Sequence, residues 1–187
     1  MQDMLQKYIT NMVIDRIAKA TGLPTATLQT IAQKALPLIT GAIEKNAQDS
    51  AKKDGIFAAI RDDHDGSIFN HIEDLMADPN NGKGGKILSH LFGGKEGALE
   101  DMIAQSAHAD KAQTKNAVEM LAPLVMGALG KEQSDGKLEL GDVLGMVHNI
   151  NEKQSKESGV DMQKALAFLD ADGDGSVMDE IMGFMKS

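Results

Sequence analysis

The sequence contains no cysteine and no tryptophan, and aromatic residues make up only 3% of it. Without cysteine the chain has no disulfide, no thiolate metal ligand and no cysteine nucleophile. The apolar volume comes from alanine, leucine, isoleucine and 12 methionines, a composition that favours closely packed helices over a β-sandwich or barrel. We therefore expect an all-α, multihelical fold.

Positive charge is also scarce, because 19 lysines and arginines face 28 aspartates and glutamates, for a formal net charge of -9. The sequence has no basic stripe that would attract phosphate backbones or anionic lipids, so nucleic acid is not expected as a partner. No apolar run approaches the ~20 residues that a membrane-spanning helix needs, and the first residues lack the basic start and apolar core of a signal peptide. We expect no membrane association and a cytoplasmic location.

Apolar residues make up 42% of the 187 residues, enough for a hydrophobic core, and they recur at helical spacing along most of the chain. Pro37 is expected to kink or break its helix. The Gly/Asn-rich segment 79–86 predicts a linker between an N-terminal helical half, 1–78, and a C-terminal helical half, 87–187. The glycines of this segment faintly resemble a phosphate loop, but no strand precedes them and Ile87 stands where serine or threonine should follow the lysine.

The two halves share short sequence patterns. Residues 35–43 (ALPLITGAI) align without gaps on residues 121–129 (LAPLVMGAL), and residues 65–68 (DGSI) match residues 174–177 (DGSV). These matches predict a degenerate internal repeat that forms two subdomains, each with a proline-containing helix. The alternative is chance similarity between two amphipathic helices.

The C-terminal segment 170–181 has the spacing of an EF-hand calcium loop. Such a loop places oxygen ligands at alternate positions and a glycine at the sixth, where the chain turns sharply. Gly175 stands at that position, and apolar faces on both flanks predict an EF-hand-like helix-loop-helix. The candidate calcium ligands are the carboxylates of Asp170, Asp172 and Asp174, the backbone carbonyl of Ser176, and the carboxylates of Asp179 and Glu180.

The loop departs from the EF-hand pattern at its twelfth position, where Ile181 replaces the glutamate that usually closes the coordination sphere. A shortened loop would bring Asp179 to the ion, with Glu180 as the alternative. Incomplete closure predicts a modest affinity, with a Kd of about 10⁻⁵ to 10⁻³ M, and a structural role for the calcium ion. An acidic turn that is merely solvated is the competing interpretation.

The matching segment of the first half has a cation, Arg61, where the first aspartate of a calcium loop should stand, although Asp63 and Asp65 are retained. A cation in the first ligand position disfavours calcium binding. We expect this turn to survive as a partner loop, with Ile68 paired against Val177.

The sequence shows no catalytic pattern. The five histidines form no HExxH motif or other close ligand spacing, and no nucleophile elbow surrounds the serines. We therefore predict that the protein is not an enzyme. A deep pocket that gathers His64, His71 or His148 with carboxylates would favour an enzyme instead.

Four segments of the chain carry a resemblance to a known family. They are residues 34–42 (KALPLITGA), 64–68 (HDGSI), 85–93 (GKILSHLFG) and 121–127 (LAPLVMG). In them the chain resembles the YidB-like bacterial proteins grouped as domain of unknown function 937. The resemblance implies a multihelical fold and brings no activity with it, while residues 169–177 look like the tail of calcium-loop-bearing members.

Together these features predict a calcium-binding helical protein in which the ion fixes the C-terminal helix pair to the rest of the fold. The alternative is an interaction or self-assembly module in which the acidic loop is incidental. Its partner would be another protein or a second copy of the chain.

Overall fold

The computed structural model describes residues 7–78 and 82–136, together with positions 5, 141, 142, 145, 147–149 and 152. Within these residues the structure is helical and contains no strand, which confirms the predicted all-α class. The helices are α1 (Asn11–Thr21), α2 (Thr25–Gln48), α3 (Lys53–Ala58), α4 (Ile72–Ala77), α5 (Lys83–Phe92), α6 (Glu96–Ala107) and α7 (Lys111–Gly136). A π-helical turn, Ala59–Asp63, continues α3, and a 3₁₀ turn, Ser67–Asn70, precedes α4.

Helix α7 lies at the centre of the fold. Residues 117–130 are all buried, so neighbours cover this part of the helix on every side. Helices α1, α2, α5 and α6 pack around it, together with the π-helical and 3₁₀ turns. Because these neighbours come from both 1–78 and 87–187, the two predicted halves share one hydrophobic core.

The prolines of the two long helices do not interrupt them. Helix α2 continues through Pro37, and α7 continues through Pro123, so of the kink or break expected at Pro37 the break does not occur. Each proline removes one N–H donor and leaves the carbonyl four residues earlier without its helical partner. The lost bond is tolerated because both prolines lie in buried stretches, where packing holds the helix together.

Part of the predicted linker 79–86 is helical. Helix α5 begins at Lys83, so residues 83–86 belong to it, whereas residues 79–81 lie outside the described part of the chain. The glycines there have a packing role: a Cβ atom at Gly84 would lie 1.7 Å from the carbonyl oxygen of Glu119 in α7. Glycine at this position therefore permits close approach of two helices, although glycine-rich composition usually indicates a flexible segment.

Candidate functional site

A cleft of about 500 Å³ opens between the end of α2, helix α3 with its π-helical turn, and helix α5. Seven of the thirteen described residues that line it are apolar or small, and six are polar or charged. The described residues that line it are Asn46, Ala51, Lys52, Gly55, Ile56, Ala59, Asp63, His64, Lys86, Ile87, His90, Leu91 and Met126.

The cleft exists because the chain reverses tightly after α2 and then presents small residues. The carboxylate of Asp49 accepts a hydrogen bond from the backbone N–H of Ala51 at 2.8 Å, which fixes the turn into α3. On α3, a Cβ atom at Gly55 would meet no atom within 4 Å, so this face is not filled. The space between α3 and α5 therefore stays open.

Asn46 forms the polar link at the base of the cleft. Its buried side-chain amide donates hydrogen bonds to the carbonyl oxygens of Ala42, at 2.8 Å, and Leu91, at 2.9 Å. Leu91 lies in the last turn of α5, where carbonyl oxygens have no partner within the helix. Asn46 thus caps the end of α5 and holds it against α2.

A π-helical turn brings Asp63 and His64 to the cleft. Such turns are rare and are often found at functional sites, because the wider turn shifts the side chains that follow it. The backbone of His64 is held in place by α7: a Cβ atom at Gly130 would lie 1.7 Å from the His64 carbonyl oxygen. His64 is half-buried, and burial lowers its pKa despite the nearby carboxylates of Asp63 and Asp65.

The other histidine of the cleft, His90, is exposed. Its Nδ1 lies 2.8 Å from the carbonyl oxygen of Lys86, one turn earlier in α5. If Nδ1 donates that bond, Nε2 of the neutral ring is the acceptor. His64 and His90 thus both line the cleft, together with the charged side chains of Lys52, Lys86 and Asp63.

A second cavity of about 530 Å³ shares Asn46, Lys52 and Leu91 with this cleft. It adds two further lysines, Lys45 and Lys95. Lys45 lies in the last turn of α2, where a cation favourably meets the negative end of the helix dipole.

An ionic group with two buried carboxylates lies elsewhere, between α6 and α7. Lys115 Nζ lies 3.0 Å from Glu119 Oε1 and 3.6 Å from Glu100 Oε2. Glu100 is only 4% exposed, and burial raises its pKa above the ordinary carboxyl value. A single lysine, whose side chain is 51% exposed, thus pairs with two buried carboxylates.

The predicted calcium ligands lie outside the described residues. These are Asp170, Asp172, Asp174, Ser176, Asp179 and Glu180. Within the described residues, no group of three or more His, Asp or Glu side chains is arranged to hold a metal ion.

The first-half counterpart of the calcium loop is described, and it forms a well-defined turn. Gly66 has a φ of 87°, in the left-handed region that glycine favours, and Asp65 Oδ1 accepts the backbone N–H of Ser67 at 2.9 Å. Arg61 donates two hydrogen bonds to Asp62, at 2.6 and 2.7 Å. The guanidinium therefore neutralises a neighbouring carboxylate in the turn.

Ile68 packs against α7. A Cβ atom at Gly127 would lie 2.6 Å from Ile68 Cγ2, so the small residue at this position makes room for the turn. Val177, the partner predicted for Ile68, lies outside the described residues.

The histidines that we singled out in the sequence do not meet in one pocket. His64 lines the cleft with Asp63, whereas His148 Nδ1 lies 2.6 Å from Glu44 Oε1 and His71 Nδ1 lies 4.0 Å from Asp74 Oδ2. Sequence reasoning missed Asn46 and His90. A signal for Asn46 was present, because it stands as a polar residue one turn after Ala42 on the apolar face of α2.

Residues 7–78 and 82–136 contain no helix that combines the length and the apolar character needed to cross a bilayer. Comparison of the chain with curated proteins and with solved structures finds no match to either. A family model described as bacterial protein of unknown function (DUF937) matches residues 3–132. The match spans more than half of the chain, which therefore belongs to the DUF937 family.

Proposed function

We propose that this protein is a non-enzymatic calcium-binding helical protein, whose calcium site is the loop at residues 170–181. One observation carries the proposal: Asp170, Asp172 and Asp174 stand at alternate positions, followed directly by a glycine at the sixth position of the loop. Three carboxylates within five residues repel one another unless a cation lies between them. A cytoplasmic location and a YidB-like identity, with a calcium-loop tail, belong to the same proposal.

The geometry of the first-half counterpart supports the loop conformation that we propose. There the Asp-Gly-Ser sequence forms a turn with a left-handed glycine, Gly66, and with an aspartate side chain, Asp65, folded back onto the backbone N–H of Ser67. A calcium loop needs the same sharp turn at its sixth position. The second copy of the sequence has aspartate in place of Arg61, which removes the cation that disfavours calcium.

Calorimetric titration of the metal-stripped full chain with calcium, and separately with magnesium, tests the proposal. We expect saturable calcium binding with a Kd of about 10⁻⁵ to 10⁻³ M, and its loss in Asp172→Ala and in Asp174→Ala. Asp63→Ala is the matched control, because Asp63 corresponds to Asp172 in the first half. Absence of calcium-specific heat at millimolar calcium, or an equal loss in Asp63→Ala, would contradict the proposal.

The closing ligand is proposed to be Asp179, with Glu180 as the alternative. Asp179→Asn and Glu180→Gln remove one carboxylate each with little change in size. We expect calcium affinity to fall much more in Asp179→Asn than in Glu180→Gln. The reverse order would assign closure to Glu180, and equal affinities in both variants and the wild type would remove both from the site.

An interaction or self-assembly module is the alternative function. Among the described residues, one large hydrophobic side chain, Met12, is strongly exposed, at 65%. This isolated side chain gives little support for a broad apolar interface on that part of the surface. Light scattering with and without calcium separates the two proposals, because a purely structural calcium site leaves the molecular mass unchanged, whereas calcium-dependent assembly raises it.

A further inference from the structure

We propose that the cleft beside Asn46 and His64 binds a small amphiphile that has an apolar body and one anionic head group, either a carboxylate or a phosphate monoester. This site is independent of the proposed calcium loop. It is built from α2, α3 and α5, all within the described part of the chain.

The size and floor of the cleft suit a small molecule. Its volume of about 500 Å³ falls within the range of roughly 300–1,000 Å³ that is usual for ligand pockets. Ile56 and Ile87 are half-buried and supply apolar surface above a floor that is formed by the buried Leu91 and Met126. The apolar body of a ligand would therefore displace water from this apolar surface, which lowers the free energy of binding.

The polar groups are arranged so that the charged end of a ligand would remain near solvent. Lys52 and Lys86 are exposed, whereas the buried Asn46 uses both N–H groups on backbone carbonyls. Asn46 has no N–H left for an anion deep in the cleft. The lysines are consequently the groups that would meet an anionic head, with the body pointing inward.

The charge of the lining favours an anion over a cation. The cleft has two lysines, Lys52 and Lys86, against one carboxylate, Asp63. Lys52 Nζ also lies 4.0 Å from Oδ2 of Asp49, which lines the adjoining cavity. The residues that line the cleft thus include more cationic than anionic side chains, although the whole chain has a formal charge of -9, and this local excess would favour an anion.

The state of the histidines agrees with this orientation. His64 is half-buried with a lowered pKa, so its ring is neutral at pH 7 and adds no buried charge beside the apolar floor. A neutral imidazole still donates one hydrogen bond and accepts one. The interior of the cleft can thus accept an apolar chain without desolvating an ion.

Titration of the full chain with four eight-carbon probes tests the proposal: octanoate, octyl phosphate, 1-octanol and octylammonium. We expect saturable binding of at least one anionic probe, with an affinity about tenfold or more above those of the alcohol and the cation. The tighter of the two anions identifies the head group. Equal affinities for all four probes, or no saturable binding of either anion, would overturn the proposal.

Two kinds of variant localise the binding. Gly55→Leu places a side chain in the open space of the cleft and should abolish binding. The double variant Lys52→Gln, Lys86→Gln should weaken anion binding by about tenfold and leave binding of 1-octanol unchanged. Lys19→Gln with Lys34→Gln is the matched control, because it removes two lysines that do not line the cleft. Equal effects of both double variants would contradict the assignment.

A measurement on the wild-type chain keeps the test decisive if Gly55→Leu fails to fold. NMR of the histidine ring protons should show shifts at His64 and His90 on addition of the anionic probe, because these two rings line the cleft. The rings of His71 and His148 lie outside it and should not shift. Shifts confined to His71 or His148 would place the ligand elsewhere and refute the proposal.

Discussion

Helices α2 and α7 are similar in sequence and differ in their surroundings. Each is long, each has proline as its thirteenth residue, and in each a buried glycine follows the proline by four positions, Gly41 in α2 and Gly127 in α7. Helix α7 is buried on every side over residues 117–130, whereas the continuous burial of α2 is limited to residues 37–43. The same local pattern thus supports one central helix and one more peripheral helix.

The carbonyl groups released by the two prolines show how this difference arises. Pro37 frees the carbonyl of Gln33, an exposed residue within reach of water, whereas Pro123 frees the carbonyl of the buried Glu119. Gly84 approaches the Glu119 oxygen so closely that a Cβ atom would lie 1.7 Å from it. A Cα–H contact with the oxygen is the interaction that this geometry offers.

Corresponding positions farther along the helices also have different partners. In α7, Gly130 lets the His64 carbonyl come close, whereas the corresponding residue of α2, Glu44, pairs with His148 through its side chain. At this position α7 thus makes a close backbone contact, whereas α2 makes a side-chain contact. The sequence pattern that α2 and α7 share thus explains why both form helices. The close approach of backbone groups to the glycines of α7 explains why α7 is the central helix.

Gly130→Ala should give the largest effect on this contrast. The added Cβ would lie 1.7 Å from the His64 carbonyl oxygen and 2.7 Å from that of Ile60, both backbone atoms that cannot move alone. We expect the free energy of unfolding to fall by about 3 kcal/mol, despite the better intrinsic helix propensity of alanine. Urea denaturation monitored by circular dichroism measures this loss.

Gly55→Ala is the matched control for Gly130→Ala. It is also a glycine-to-alanine change within a helical segment, but its Cβ would meet no atom within 4 Å. We expect stabilisation by roughly 0.5–1 kcal/mol, since alanine restricts the unfolded chain and favours the helix. Similar changes in both variants would mean that close backbone approach does not distinguish α7.

Asn46→Ala should give the second-largest effect and acts on α2. The change removes two hydrogen bonds and leaves the Leu91 carbonyl at the end of α5 without its side-chain cap. We expect a loss of about 2 kcal/mol in the free energy of unfolding. The corresponding residue of α7 is Glu132, which accepts hydrogen bonds from Lys7 Nζ and Tyr8 Oη, both at 2.7 Å.

Glu132→Ala is the comparison for Asn46→Ala. The Glu132 side chain is 21% exposed and its lysine partner is 59% exposed, so water replaces part of what the substitution removes. We expect a loss of about 1 kcal/mol or less. A larger loss than in Asn46→Ala would show that the attachment of α7 to the N-terminal residues is stronger than the capping of α5.

These features differ in how far the sequence predicts them. Helical spacing predicts α2 and α7 and their apolar faces, because the period of 3.6 residues is a local property. The sequence assigns residues 83–86 to a linker, because Gly84 and Gly85 suggest flexibility, whereas in the structure both glycines lie against Glu119. The role of a glycine as a contact depends on a residue far away in the chain, which composition does not reveal.

The cleft lies beyond local prediction for the same reason. Asn46 is visible in the sequence as a polar residue on an apolar face, but its partner, the Leu91 carbonyl, is a backbone group with no sequence signal. The π-helical turn that ends at Asp63 is only five residues long, so it shows no repeating pattern of apolar residues from which the sequence could predict it. Calcium-loop spacing, in contrast, is contained within twelve residues, so the sequence alone suffices to propose it.

Glu100→Gln, a change in α6, tests the ionic group that α6 forms with Lys115 and Glu119 of α7. Lys115 and Glu119 of α7 correspond to Gln29 and Gln33 of α2, which are exposed and uncharged. Burial raises the pKa of Glu100 in the folded chain, so the folded state holds its proton more tightly than the unfolded state. Wild-type stability therefore falls as the pH rises from the ordinary carboxyl value of 4.5 through the raised pKa.

We expect Glu100→Gln to remove this loss and to stabilise the protein by about 1 kcal/mol at pH 7. The gain over the wild type should disappear below pH 4.5, where Glu100 is protonated in both states. Glu119→Gln is the control, because it removes the nearer partner of Lys115 and should destabilise at pH 7. Denaturation curves at a series of pH values give both results, and a gain that is independent of pH would contradict the role of the buried charge.

Glu44→Gln should have the smallest effect and tests the side-chain contact that α2 uses in place of close backbone approach. The hydrogen bond that Glu44 accepts from His148 raises the pKa of His148 above its ordinary value of 6.5. This pair therefore stabilises the fold below pH 6.5, and the stabilisation is lost as the pH rises through the raised pKa. In Glu44→Gln we expect the pKa of His148 to return towards 6.5, as measured by NMR titration of its ring protons. Glu73→Gln removes a carboxylate that pairs with Arg16 instead and should leave the His148 titration unchanged. An unchanged His148 titration in Glu44→Gln would mean that the contact between Glu44 and His148 is not maintained in solution.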